Sequence, residues 1–222
     1  MPLPDPFSTN ARFQRGDFTG LRTAGICFTA NAFPLPDSAG QVRPVHGDFL
    51  AVLDDWRACD DDGERIDSAG APGVKPADTQ AFEFADPLGR RTYGADGAWV
   101  DLEDVTIAAG ERLRFFWKFI SPLQGRYNDF ALFLAYPDGD VTAPRQPVRT
   151  PLAQMSDPAR NTLFDTDWCV SVWEPPGGFT GTLRWLVSNG ERRGANDRPP
   201  GPTARRRFST PSTLLLDAIE IE

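Results

Sequence analysis

Residues 112–119 read RLRFFWKF, and this stretch decides the fold class. Its apolar residues recur with a period of two, which is typical of a β-strand with one face in the core. Residues 130–135 read FALFLA and are apolar throughout, so a more deeply buried strand follows. The two stretches predict a protein built mainly from β-strands.

Similar patterns recur along the 222 residues, and the 21 prolines and 20 glycines indicate many turns and long loops. We therefore expect one all-β domain spanning 1–222, a two-sheet antiparallel β-sandwich that is jelly-roll-like, with its first and last strands as neighbours. The strand at 48–53 is apolar on both faces, so we expect it to be covered on both sides. The predicted strands are 12–20 (with a turn), 24–30, 48–53, 80–85, 98–107, 112–120, 127–136, 168–173, 179–188 and 213–221. The predicted turns are 89–97 and 108–111, and the long loops are about 54–76, 137–166 and 189–207, with a helical turn near 152–155.

Composition narrows the class of partner. The net charge of −8 argues against nucleic acid as the main partner. No apolar stretch reaches the ~20 residues that span a membrane. Residues 1–6 have neither a basic start nor an apolar run, so we expect no signal peptide. Cys27, Cys59 and Cys169 allow at most one internal disulfide, and the sequence does not say whether one forms.

Enzymatic signatures are sparse. His46 is the single histidine, which removes the commonest general base and most catalytic triads. The acidic run at 60–64 lacks the acids that an EF-hand needs at its first and last positions. A pair of carboxylates that cleaves polysaccharides stays open as an alternative, because acids are abundant.

Acidic residues in apolar strands are the best candidates for a ligand site. Asp129 and Asp217 each need a partner, because an unpaired buried charge costs a great deal. Calcium takes six to eight oxygens, and we predict a calcium site from Gln14, Asp17, Asn128, Asp129 and Asp217. The alternatives are a turn role for Asn128, and hydrogen bonds from backbone N–H groups or an arginine for the two acids.

Two further features suggest binding. Trp56, Trp99 and Trp173 are candidate platforms on which sugar rings stack, with burial in the core as the alternative. Residues 54–67 carry seven acids, whereas 190–208 carry six arginines. Pairing of these two loops between copies would build a ring or filament, and two solvated loops are the alternative.

Five motifs occur in an order that resembles bacterial secreted sandwich domains of adhesin-like and exosortase-sorted ("choice-of-anchor") surface proteins. They are FxxGDFTG at 13–20, GExLxFxWxF at 110–119, YNDFA at 127–131, FTGTLxWxV at 179–187 and PSxLLLDxI at 211–219. The resemblance spans most of the chain. It implies a jelly-roll-like fold akin to carbohydrate-binding modules, and a role in extracellular adhesion or scaffolding.

In related sugar-binding modules a structural calcium ties the opening strand to an aspartate in the closing strand. The resemblance carries this role to Gln14 or Asp17 and to Asp217, although Gln14 stands where an acid is usual. It also implies an extracellular or cell-surface location. Because we expect neither a signal peptide nor a C-terminal sorting helix, a cytoplasmic location stays open.

Our leading hypothesis is a non-enzymatic structural or adhesive β-sandwich module, stabilised by calcium and self-associating into a larger assembly. The first alternative is a carbohydrate-binding module that recognises surface glycans. The second is a carboxylate-based polysaccharide-active enzyme.

Overall fold

The computed structural model describes residues 11–35, 39–54, 84–85, 91–121, 129–137, 147–154, 164–192 and 212–222. Within these ranges the chain forms fourteen β-strands and no helix. The strands are β1 (Arg22–Ala24), β2 (Ile26–Ala30), β3 (Phe33–Pro34), β4 (Gln41–Val42), β5 (Leu50–Asp54), β6 (Phe84–Ala85), β7 (Arg91–Ile107), β8 (Leu113–Ser121), β9 (Phe130–Pro137), β10 (Val148–Gln154), β11 (Phe164–Asp165), β12 (Cys169–Trp173), β13 (Phe179–Arg192) and β14 (Thr213–Ile221).

The strands form two antiparallel sheets of six strands each, as far as the described ranges show. Sheet I has the order β1-β7-β13-β9-β10, with β6 also paired to β7. Sheet II has the order β11-β8-β14-β5-β2, with β12 also paired to β8, and β3 and β4 form a separate pair. From β5 onward the chain passes back and forth between the sheets, as in a jelly roll. The predicted all-β, two-sheet antiparallel sandwich is confirmed.

The main core lies between the two sheets. Alternate residues of β8 point inward, as the period of two predicts, and Phe115 is fully buried there. Its ring centroid lies 5.1 Å from that of Phe133 in β9 and 5.3 Å from that of Trp185 in β13. Each such aromatic pair contributes about 0.5–1.5 kcal/mol beyond its buried area. These three side chains join the two sheets at their centre.

The outer faces of both sheets also bury apolar side chains. On sheet I the buried outer residues include Leu132 and Leu134 of β9, which explains why residues 130–135 show no alternation. On sheet II the outer cluster includes Val52 of β5, with Phe33 of β3 packed against it. The predicted covering of strand 48–53 on both sides is therefore confirmed.

The turn predicted at 108–111 is confirmed, because Glu111 N–H donates to Ala108 O over 3.0 Å. Two predictions near the start of the chain are wrong. Residues 11–20 form turns instead of a strand, and Phe13 is fully buried with φ of 56°. The first and last strands are not neighbours, because β1 pairs with β7 at the edge of sheet I and β14 lies inside sheet II.

Three local predictions fail because distant pairing overrides them. From Arg91 onward, the turn predicted at 89–97 lies inside β7, which pairs with β13 through Gly94 and Gly190. The loop predicted at 137–166 contains β10, which pairs with β9 and includes 152–154 of the helical turn predicted near 152–155. Residues 189–192 of the loop predicted at 189–207 belong to β13, and the rest of that loop lies outside the described residues. Beyond Asp54, the loop predicted at 54–76 lies outside the described residues.

Candidate functional site

Asp217 lies inside β14, fully buried, and its carboxylate holds a loop on the outer side of sheet II. Oδ2 accepts the backbone N–H groups of Val45 at 2.6 Å and His46 at 2.8 Å, and Oδ1 accepts that of Ala218 at 2.7 Å. Ala218 has φ of 45°, where the pairing of β14 with β8 is irregular. Burial raises the pKa of Asp217, and the bonds from His46, Ala218 and Val45 act in the opposite direction. Three N–H groups thus offset part of the cost of this buried charge.

Gln14 holds the same loop from another side. Its Nε2 donates to His46 O at 3.1 Å, and its Oε1 accepts the N–H of Asp48 at 3.2 Å. Gly47 has φ of 68° at this point, and a Cβ there would overlap the amide of Gln14. The loop at 45–48 is therefore clasped between the opening segment and the closing strand.

The predicted calcium ligands come together only in part. Gln14 and Asp217 converge on the loop at 45–48, so hydrogen bonds make the connection that the resemblance assigns to calcium. Asp17 Oδ1 accepts the N–H of Thr19 at 3.0 Å within a turn. No group of three or more His, Cys, Asp or Glu side chains suited to a metal occurs among the residues that the structure describes. Calcium binding stays a prediction.

Asp129 lies at the start of β9 and is buried in a network of hydroxyl groups. Ser212 Oγ is 2.6 Å from Asp129 Oδ2 and 2.7 Å from Ser121 Oγ. The network joins the ends of β8, β9 and β14, so Asp129 ties three strands from both sheets together. Asn128, predicted beside it, lies outside the described residues.

Trp99 does not provide the predicted platform for a sugar, because its side chain is only 2% exposed. The guanidinium carbon of Arg184 lies 4.1 Å from the centroid of its ring and 5.4 Å from that of Tyr136. Arg184 also forms a two-pronged pair with Asp101, with Nε–Oδ1 at 2.6 Å and Nη2–Oδ2 at 2.7 Å. Burial raises the pKa of Asp101, and the hydrogen bonds and charge of Arg184 oppose that rise.

Trp173 is half-buried at the end of β12. Its ring makes edge-on contacts with Phe133 at 5.5 Å and Phe179 at 5.1 Å between centroids. Trp173 therefore packs against the main core and is only partly buried, just before the turn at 174–178. Trp56, the third predicted platform, lies outside the described residues.

The patch of Phe116, Val170 and Val172, which we call the outer strip, is a feature that the sequence pattern did not reveal. Val170 and Val172 share a face of β12, as the alternation predicts, but they are 55% and 52% exposed on the outer side of sheet II. Val170 pairs with the half-buried Phe116 of β8, and Val172 pairs with Arg114. The guanidinium of Arg114 lies 5.7 Å from the Phe116 ring. A period of two cannot tell which face of a strand meets solvent.

Two cysteines of the described chain are free thiols. Burial raises the pKa of Cys27 to about 12, against the weaker effect of its hydrogen bond to Trp99 O. Cys27 and Cys169 are half-buried and form no disulfide. Cys59 lies outside the described residues.

A search of the described residues found no helix that is long and apolar enough to cross a membrane. No protein-family model matches the sequence, and neither does any curated protein.

Several solved structures resemble the fold at low sequence identity. TmCBM61, solved in complex with β-1,4-galactotriose, is 12% identical over 99% of each chain, with a TM-score of 0.41. The K1 cleaved adhesin domain of Lys-gingipain from Porphyromonas gingivalis W83 is 12% identical over 95% of each chain, with a TM-score of 0.42. The enzymatically active domain of tailspike protein 4 from bacteriophage CBA120 is 10% identical, covers 96% of this chain and 20% of its own, and has a TM-score of 0.42.

Proposed function

We propose that this chain is a non-enzymatic structural or adhesive module that acts at the cell surface. The proposal rests on the hydrogen bonds that the buried acids accept. Asp101, Asp129 and Asp217 each accept hydrogen bonds from residues at least 83 positions away. A carboxylate that acts as a general acid or base must face its substrate. These three face other parts of the fold and hold it together.

Ion pairs add to these ties at one end of the sandwich. Glu220 of β14 contacts Arg114 of β8 at 2.5 Å and Arg12 of the opening segment at 3.2 Å. Glu222 lies 3.6 Å from Arg112 and 3.5 Å from Arg114. Exposed pairs contribute little singly, but these form a network that ties the opening segment and β8 to β14.

The contact surface in this proposal is the outer strip, and its partner is a second copy of the chain. Within the described ranges β12 pairs with β8 alone, so its other edge is a candidate for strand addition. Antiparallel pairing of two copies about Ser171 would place Val170 opposite Val172 of the second copy. The two outer strips would then form one continuous apolar surface, and the contact would be symmetric.

Sedimentation at increasing protein concentration tests this contact. Val170→Glu with Val172→Glu should give monomers, since it places like charges across the new pair. Thr106→Glu, an exposed strand position on sheet I, is the matched control and should behave like the wild type. Added salt should strengthen association through β12 by screening the net charge of −8, whereas it should weaken pairing of the acidic and basic loops. A wild-type chain that stays monomeric throughout contradicts self-association.

Calcium stabilisation is a separate part of the proposal, and it rests on the resemblance, which assigns a structural calcium to Gln14 or Asp17 and to Asp217. Calcium at 100 times its Kd should stabilise the folded chain by about 2.7 kcal/mol. Thermal melts with added calcium and with EDTA measure this directly. Identical midpoints in the two conditions would show that hydrogen bonds alone make the tie.

The second candidate function is glycan binding, and the half-exposed Trp173 favours it. A sugar would stack on the indole of Trp173, next to the exposed Glu174. Trp173→Ala should abolish signal on a glycan array, while Trp168→Ala, a half-buried tryptophan on the other side of β12, should retain it. An array without signal, or with signal in both variants, would remove this candidate.

A further inference from the structure

The chain contains two lysines among its 23 lysine and arginine residues, namely Lys75 and Lys118. This distinction matters chemically, because an uncharged lysine amine is a nucleophile whereas a guanidinium stays charged. Lys118 lies in β8, and its side chain is 8% exposed. Of the chain's two lysines, the one that lies within the described residues thus occupies a buried position.

The segment between β11 and β12 encloses this amine. Thr166 N–H donates to Phe119 O at 3.0 Å, and Phe119 N–H donates to Thr166 Oγ1 at 2.9 Å, which fixes the segment against β8. Lys118 Nζ donates to the backbone carbonyl of Thr166. The same nitrogen is in direct contact with Oδ1 of Asp165, the last residue of β11. Nucleophile and carboxyl group are held together by neighbouring backbone.

The surroundings are apolar on the side of the sheet. Ile120, which pairs with Asp165, and Leu215, which pairs with Lys118, are both almost fully buried. Trp168 packs against the same outer cluster. The Asp165 side chain is 26% exposed, so a released water molecule has a route to solvent. An ion pair has a desolvation cost in such a place, whereas an amide would carry no charge.

We propose that Lys118 and Asp165 form an intramolecular isopeptide bond that joins β8 to β11. Proton transfer within the contact converts the ammonium and carboxylate to an amine and a carboxylic acid. Nζ then attacks Cγ of Asp165, the new C–N bond forms, and the C–OH bond breaks. The hydroxyl leaves as water with a proton from the nitrogen. One ammonium and one carboxylate thus give one amide and one water, with no oxidant or other reactant.

The contact between Lys118 and Asp165 favours this reaction, because the two reacting groups are already held together. Well-oriented intramolecular reactions reach effective concentrations of about 10⁵–10⁸ M. The amide would also remove two charges from a poorly solvated site. It would bind the segment leading into β12 covalently to the sheet, at the edge that carries the outer strip. The cross-link does not depend on the proposed function and is tested separately.

The experiment is mass spectrometry of the purified full-length wild-type protein. Denatured protein should be about 18 Da lighter than its sequence, because amide formation releases one water. Trypsin should then leave residues 115–126 joined to residues 161–184, since it does not cut after an acylated lysine. Lys118→Arg and Asp165→Ala should each have the full sequence mass, and Lys75→Arg, the matched control, should still show the loss.

The peptide map decides between outcomes. The joined peptide supports the proposal. A full sequence mass with cleavage after Lys118, unchanged after long incubation of the folded protein, overturns it and leaves an ordinary ion pair. A loss of water that maps elsewhere, such as a succinimide at Asp138-Gly139, overturns it as well.

Discussion

Replacing Asp217 by asparagine is the sharpest test of the clasped loop. Asparagine retains one acceptor oxygen, but its amide NH₂ would replace the oxygen that accepts the N–H groups of Val45 and His46. Each hydrogen bond to a charged acceptor contributes about 1.5–3 kcal/mol, so losing both removes about 3–6 kcal/mol. Removing a buried charge offsets part of that loss, and we expect a net destabilisation of about 2–4 kcal/mol.

Urea unfolding of wild type and Asp217→Asn measures this difference, and hydrogen exchange at Val45 and His46 locates it. Asp48→Asn changes an exposed acid of the same loop and should leave stability unchanged within about 0.5 kcal/mol. If Asp217→Asn were as stable as the wild type and the two amides stayed protected, the carboxylate would not be what holds the loop.

The pH dependence of the same pair has a definite sign. Burial raises the pKa of Asp217, so the folded chain binds this proton more tightly than the unfolded chain. The contribution of this group to stability therefore rises as pH falls from neutral, through its raised pKa, towards the unfolded value of ~3.9. The stability advantage of the wild type over Asp217→Asn should grow over that range. An advantage that shrinks on acidification would contradict the raised pKa.

Three further predictions concern other parts of the fold. Arg184→Met should lower the free energy of unfolding by about 3–5 kcal/mol, because it leaves the Asp101 charge buried without its partner; urea titration checks this, and Asp101→Asn in the same chain should restore part of the loss. Gly47→Ala should destabilise the chain by about 1–3 kcal/mol, because its φ is positive and its Cβ would displace Gln14; equal stability would mean that the loop adapts at no cost. Cys27, with a pKa of about 12, should resist iodoacetamide at pH 8 in the folded protein and react once the protein is denatured; mass spectrometry of the labelled peptides decides, and fast labelling of the folded form would refute burial.

The sequence predicted a strand wherever the segment itself has an alternating or continuous apolar pattern. The period of two at 112–119 predicts β8, and the apolar run at 213–221 predicts β14 with the bounds that the structure has. Among the strand regions that the sequence did not predict are β10, the start of β7 and the end of β13, the last two of which pair through Gly94 and Gly190. Their residues look like loop or turn residues, and they become strands because β9 and each other supply backbone partners.

The sequence likewise predicted some properties of the candidate site and not others. That Asp217 and Asp129 needed partners followed from their place among apolar residues, since an unpaired buried charge is costly. Which partners they have did not follow, because the N–H groups of Val45 and His46 lie more than 170 positions from Asp217. Trp99 was predicted to be a platform for a sugar, but its ring is covered by Arg184. No local pattern indicates that Arg184 is buried.

By itself the sequence determined the fold class, most strand positions and the need to neutralise its buried acids, because these depend on hydrophobic period and desolvation, which are properties of each segment. Only the tertiary structure decided that a loop satisfies Asp217, that Arg184 occupies the face of Trp99, that Val170 and Val172 face solvent, and that Lys118 meets Asp165. Each of these depends on which distant segments become neighbours in space. The pairing of strands and the packing of the two sheets decide this, and both leave little trace in the local order of residues.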